Sequence, residues 1–266
     1  MLSHAQITDR LRAAGCVFAE EEADLLLSTS QDLAELEELV RRRAEGFPLE
    51  YLLGWAEFCG LRIAVTPGVF VPRRRTEFLA AQAIELAQRA ETAVLLDLCC
   101  GAGAVAAAVA AALPGVELYA ADIDPEAVGC ARRNLSDPGN GTVTRVFEGD
   151  LFAPLPDSLA GRINVIAVNA PYVPTEEIAL MPPEARLYEA RAALDGGTDG
   201  LQVQRRIAAE ASRWLAPEGH LLIETSERQA PQTAEIFAAR GLKPQILESE
   251  EFYATVVIGK KAGQRQ

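Results

Sequence analysis

From about residue 93 onward, short apolar runs alternate with helical stretches, and this alternation most constrains what the chain can fold into. Strand-like runs fall at 94–98, 117–121, 142–147, 163–168, 220–224, 245–247 and 255–258. Helical stretches at 104–113, 125–134, 200–215 and 227–240 separate most of them. Nearly continuous apolar strands joined through helices imply a mostly parallel sheet covered on both faces. The expected fold class is therefore α/β, with a seven-stranded, Rossmann-like sheet.

The region before it follows another rhythm. Leu11, Phe18, Leu25, Leu26, Leu33, Leu36 and Val40 recur at helical spacings with charges between them. Asp32, three residues before Glu35, reads as an N-cap. Gly46-Phe47-Pro48 ends this region; short strand-like runs at 55–58 and 61–65 and the turn Thr66-Pro67-Gly68 then suggest a hairpin. Thr76 is expected to cap a helix reaching Ala90. The resulting division is a helical domain at 1–55, a β-hairpin linker at 56–71 and the main domain at 72–266, with residues 260–266 read as a polar tail.

Charge and cysteine usage limit the partners. A net charge of −13 disfavours stable binding to a phosphate backbone, which calls for clustered cations. Arg41-Arg42-Arg43 reads as the solvated face of a helix, and Arg73-Arg74-Arg75 precedes the expected cap. Five scattered cysteines without CxxC spacing argue for reduced thiols rather than zinc or disulfides, and no metal site is expected. The longest apolar stretch, 104–113, is too short to span a bilayer, and the first residues lack the basic and apolar segments of a secretory signal. The expectation is a cytoplasmic monomer with no membrane association.

The first strand of the sheet runs into Asp97-Leu98-Cys99-Cys100-Gly101-Ala102-Gly103. A strand, a turn of small residues and a helix leave backbone N–H groups and open space beside a ligand. The second strand ends Asp122-Ile123-Asp124, about twenty residues after the glycines, where an acidic side chain meets a ribose diol. Asp122 suits that role, since Asp124-Pro125 reads as a helix cap. Asp150 ends the third strand, in reach of an adenine amino group. A dinucleotide fingerprint would place a third glycine at Ala106, so S-adenosyl-L-methionine is favoured over NAD.

After the fourth strand stands Asn169-Ala170-Pro171-Tyr172. The Asn169 side-chain carbonyl and the Ala170 backbone carbonyl can each accept one N–H of a planar NH₂ group. Pro171 stiffens the turn and Tyr172 offers a stacking surface. Such a pair of acceptors points a nitrogen lone pair at an electrophile and favours a transition state in which the N–H bonds become more acidic. Neither His4 nor His220 is placed to act as a base. The acceptor suits an amide or, equally, an exocyclic amine of a nucleobase or metabolite; a non-catalytic cofactor-binding protein is the third reading.

At these residues the chain resembles the HemK/PrmC-type protein glutamine N5-methyltransferases. The resemblance spans Gly46 to Gly54 (against PLQYLLG), Pro67 to Glu77 (PGVLIPRPETE), Asp97 to Gly103 (DLGTGSG), Asn169 to Tyr172 (NPPY), Leu194 to Leu201, and Glu224 with Gln229 (EIGxxQ). It departs at Ala170, at Arg74-Arg75, at Ala190 and at Ser226. It implies a class I methyltransferase fold with a helical N-terminal domain that helps recognise a protein, most often a peptide-chain release factor whose GGQ glutamine is methylated. The implied cofactor residues are Asp97, Cys99, Gly101, Gly103, Asp122, Ile123, Asp150, Leu151 and Asn169. Asn169, Ala170, Pro171 and Tyr172 are implied in catalysis, and Arg73, Glu77, Tyr172 and Glu184 in substrate binding.

Overall fold

The computed structural model describes residues 2–90, 92–136 and 142–263. Helices come first: α1 (His4–Ala13), α2 (Ala19–Thr29), α3 (Leu33–Ala44) and the short α4 (Leu49–Leu53). Ser3 and Gln6 cap α1 reciprocally, and Asp32 caps α3 by accepting from Glu35 N at 2.9 Å, which satisfies N–H groups that have no partner within the helix. Ile7, Leu11, Leu26, Leu36 and Val40 close a core separate from that of the sheet.

Strands β1 (Trp55–Phe58) and β2 (Leu61–Ala64) pair antiparallel. Cys59 and Gly60 turn the hairpin with φ of 49° and 73°, the positive pair that a two-residue type I′ turn requires. Then follow α5 (Thr76–Ala87), β3 (Val94–Leu98), α6 (Ala104–Ala112), β4 (Glu117–Asp122), α7 (Pro125–Asn134), β5 (Val143–Glu148) and β6 (Ile163–Val168). After β6 come α8 (Pro183–Tyr188), α9 (Gln202–Trp214), β7 (Leu215–Thr225), α10 (Ala230–Ala239), β8 (Leu242–Ser249) and β9 (Ala254–Lys261).

Among the described residues the main sheet has seven strands in the order β5-β4-β3-β6-β7-β9-β8. The first five are parallel, and β9 runs antiparallel between β7 and β8. Side chains alternate between two cores: Leu95, Leu118, Val165 and Leu222 face one side, and Leu96, Ile166, Leu221 and Ile223 the other. Helix α6 is built of alanine and valine, and every residue from Ala104 to Ala110 is buried. Its alanines, whose side chains end at Cβ, let it pack closely between sheet and α5. Strand order reverses at β3, flanked by β4 and β6, which opens a crevice at the carboxyl ends of these strands.

Four expectations need correction. Residue 75, not Thr76, occupies the cap position of α5, which ends at Ala87. Arg43 is buried rather than solvated: its Nε and Nη2 donate to the Glu22 carboxylate at 2.6 and 3.0 Å, and its Nη1 to Glu184. Within this run, and among the described residues, it is Arg41 that makes exposed pairs, with Glu38 and Glu45, while Arg42 lies over the Phe47 ring at 3.9 Å. Lys260 and Lys261 belong to β9, and Lys261 Nζ donates to the Ser212 and Leu215 carbonyls; residues 264–266 of the expected tail lie outside the described residues. Strands β7, β8 and β9 also extend past the runs read from sequence, because ladder pairing continues through polar residues. Among the described residues no helix is long and apolar enough to cross a membrane.

Candidate active site

The turn leaving β3 places Cys99, Gly101 and Gly103 at φ of 58°, 54° and 77°. The two glycines serve different ends. A Cβ at Gly103 would lie 3.1 Å from the Ala131 Cβ, so this glycine permits close approach of α7. At Gly101 a Cβ would meet nothing within 4 Å, which leaves open space beside the turn. Helix α6 has no side-chain cap at Gly103; instead Asp97 reaches across and its Oδ2 accepts from Ala106 N at 3.0 Å. Burial, together with the nearby Asp122, lifts the Asp97 carboxyl to about 7, against that hydrogen bond. Burial also pushes the Cys99 and Cys100 thiols well up, which disfavours thiolate chemistry.

Asp122 ends β4 with its carboxylate fixed by the backbone. Its Oδ2 accepts from Gly101 N at 2.8 Å and its Oδ1 from Asp124 N at 3.0 Å. Each oxygen keeps a lone pair for a diol. Beside it Ile123 is 60% exposed, a large apolar side chain left uncovered within a hollow that Asp150 and Leu151 also line. Arg206 Nη2 holds Asp150 Oδ2 at 2.6 Å at the hollow's rim. Carboxylate acceptors for a diol, apolar walls for a flat ring and a second carboxylate at the rim together fit an adenosyl group.

The same cleft continues to Asn169-Ala170-Pro171-Tyr172. Asn169 Nδ2 donates to Thr76 Oγ1 at 3.2 Å. Among the described residues nothing donates to Asn169 Oδ1 or to the Ala170 carbonyl. The loop is clamped from behind: Val173 N donates to Leu194 O at 3.0 Å, Gly196 N to Val173 O at 2.9 Å, and Gln229 Nε2 to Tyr172 O at 3.0 Å. Gly200 allows this closeness, since a Cβ there would stand 2.2 Å from Tyr172 O.

The mouth of the cleft is ionic and balanced. Arg73 Nη2 pairs with Glu189, a carboxylate whose side chain is 1% exposed, and Arg75 Nε approaches Glu224 Oε1 at 3.3 Å. Two residues named for substrate contact from sequence have partners within the chain. Glu77 accepts from Cys59 N at 3.0 Å and pins the hairpin turn, while Glu184 pairs with Arg43 and does not line the cleft. Sequence reading gave Thr76 only a helix cap and Gln229 and Gly200 no role in the site; only the Glu224 to Gln229 spacing and the glycine run signalled part of this clamp.

Comparisons with known proteins agree with this geometry. A family profile described as "Methyltransferase small domain" matches residues 60–199. The release factor glutamine methyltransferase of Geobacter sulfurreducens is 41% identical over 211 residues, covering 79% of this chain and 72% of that protein. Its counterpart from Deinococcus radiodurans is 35% identical over 269 residues, covering 93% and 94%. The crystal structure of ribosomal protein L11 methylase from Lactobacillus delbrueckii subsp. bulgaricus shares the fold, with a TM-score of 0.54 at 15% identity over 75% of this chain and 85% of that one. The fold is thus that of class I methyltransferases, and the chain belongs to the release factor glutamine methyltransferase family, whose members depend on S-adenosylmethionine.

Proposed function

We propose that this enzyme methylates the side-chain amide nitrogen of a glutamine in a peptide-chain release factor, the glutamine of the GGQ motif, using S-adenosylmethionine. The observation that carries this reading is the pair of open acceptors, Asn169 Oδ1 and Ala170 O, in the cleft that also holds the Asp122 carboxylate. When bound, the donor supplies a sulfonium methyl that is attacked by nitrogen, with the S–C bond breaking as N–C forms. The residues of the chain do the rest. Asn169 and Ala170 each take one amide N–H, Tyr172 packs against the amide plane, and Gln229 with the Gly196–Gly200 backbone keeps the loop in place. A neutral amide is a weak nucleophile, so alignment and acceptors that strengthen as the N–H bonds become acidic supply the acceleration.

Alanine at 170 is compatible with this chemistry, because the acceptor is a backbone carbonyl. On this reading Arg73 and Tyr172 bound the acceptor's entry, and the helices of 1–55 with the hairpin of 56–71 form the recognition unit beside a 72–266 methyltransferase domain. Arg43, through Glu184, ties the two together. The enzyme acts as a monomer in the cytoplasm, where translation terminates. Methylation of a base within nucleic acid is disfavoured by the net charge of −13, and two of the three arginines at 73–75, Arg73 and Arg75, are each matched by a buried carboxylate. Incubation with labelled donor and unmodified release factor should place label on the GGQ glutamine. An unlabelled glutamine, with the donor demonstrably bound, would reject the assignment.

The cofactor half yields its own prediction. Asp122→Asn should weaken donor binding about tenfold or more, since a charged acceptor contributes roughly 1.5–3 kcal/mol. At saturating donor, kcat should stay within about threefold of wild type, because Asp122 makes ground-state and transition-state contacts alike. Calorimetric titration with S-adenosylhomocysteine checks the first; an unchanged Kd would remove Asp122 from the site.

A further inference from the structure

An asparagine side chain carries an acceptor at one end and a donor at the other, and only one orientation serves the proposed reaction. Facing the acceptor's NH₂ with its carbonyl, Asn169 binds; turned over, it would set NH₂ against NH₂. Its side-chain partner among the described residues is Thr76 Oγ1. A hydroxyl both donates and accepts, so Thr76 alone would permit either orientation. The deciding group lies behind it. Glu224, near the end of β7, has a side chain 1% exposed, with Oε1 facing Arg75 Nε at 3.3 Å and Tyr172 OH at 3.5 Å. Its Oε2 is buried with no hydrogen-bond partner assigned to it. Burial raises this carboxyl, and the neighbouring Thr76, Arg75 and Tyr172 oppose the rise; among the described residues no hydrogen bond takes the Thr76 hydroxyl proton, which leaves it for the open Glu224 oxygen.

A carboxylate only accepts. It therefore draws the single Thr76 proton and leaves the Thr76 lone pairs to the Asn169 NH₂. We propose that Thr76 and Glu224 are positioning residues that set the polarity of Asn169: a one-way chain from Asn169 N–H to the Thr76 hydroxyl to the Glu224 carboxylate turns the Asn169 carbonyl toward the methyl acceptor. This rests on the amide-methylation reading above.

Glu224→Gln tests it with almost no change of shape. Glutamine can donate to Thr76 and free the Thr76 proton for Asn169 Oδ1, which reverses the chain. The kcat should fall about tenfold to a hundredfold, the range for removing one preorganised hydrogen bond, with donor affinity held within about twofold. Thr76→Val should lose a similar factor, and Thr76→Ser should restore kcat to within about threefold of wild type. The groups facing Glu224 are Arg75 and Thr76 at the start of α5 and Tyr172 after β6, with Glu227, Glu248 and Glu250 around the groove beyond. The ionised form is productive, so wild-type kcat should fall as pH drops through the raised Glu224 pKa. Glu224→Gln should lack that acid limb.

A measurement independent of substrate uses the side-chain amide resonance of Asn169, assigned by its loss in Asn169→Ala. It should follow a Glu224-dependent acid-range titration in wild type that Glu224→Gln lacks, with only the steps of the other raised cleft carboxylates, Asp97 and Asp122, left in the variant. The proposal is overturned if Glu224→Gln keeps wild-type kcat and acid limb, or if Thr76→Val keeps full kcat. It is also overturned if the Asn169 resonance ignores Glu224 titration. A wild-type enzyme that leaves release factor unlabelled while showing the coupled titration would count against the substrate and in favour of the positioning chain.

Discussion

Asn169→Ala is expected to lower kcat for methyl transfer by about a hundredfold to a thousandfold, the cost of removing one preorganised charge-stabilising group from an active site. The substitution deletes one of two acceptors and leaves an amide N–H facing an apolar wall. It also frees the nitrogen to rotate, so the lone pair spends less time aimed at the methyl carbon. Donor affinity should stay within about twofold, because Asp122, Ile123 and Leu151, the proposed donor contacts, line the other hollow of the cleft. Single-turnover transfer of labelled methyl, read beside a calorimetric Kd, separates the two quantities. A kcat within about threefold of wild type would mean that Asn169 does not hold the acceptor.

Arg43→Met is expected to destabilise the protein by about 3–5 kcal/mol, because it leaves the Glu22 carboxylate buried without its cation. Arg43 and Glu22 are each 7% exposed, and the guanidinium binds both Glu22 oxygens. Arg41→Met, two positions away, removes an exposed cation from Glu38 and Glu45 and should leave stability nearly unchanged. Urea unfolding of both variants in parallel makes the comparison. Equal effects would show that the buried pair carries no special weight. Since Arg43 also binds Glu184, the variant should loosen the N-terminal helices from the α8 segment and reduce transfer to a protein acceptor more than donor binding.

Much of this architecture was legible before any coordinate. Buried parallel strands are apolar along their length, so 94–98 and 163–168 could be bounded correctly, and the glycine turn, Asp122 and the Asp124 cap follow from local chemistry. What escaped was the destination of side chains across the fold. A threonine ahead of an apolar run reads as a cap, yet the Thr76 hydroxyl turns inward to a residue 93 positions away. An arginine within a charged run reads as solvated, yet Arg43 finds its anions on α2 and α8. Glu77 and Glu184 were placed by motif position, which gave no sign that one pins a hairpin turn and the other pairs with Arg43. Periodicity reports which face a residue occupies; it carries no information about the partner that face will meet.

The position of β9 has a consequence for how the enzyme comes into being. It is the last strand in chain order, yet it lies inside the sheet, pairing with β7 on one side and β8 on the other. Glu224 sits opposite Val256 in that ladder. On a ribosome, the glycine turn and the Asp122 carboxylate can form while synthesis continues, but β7 and β8 keep open edges until residues 254–261 emerge. The nascent chain can therefore form the turn at Gly101 and Asp122 well before the β7 ladder that carries Glu224 gains its second neighbour.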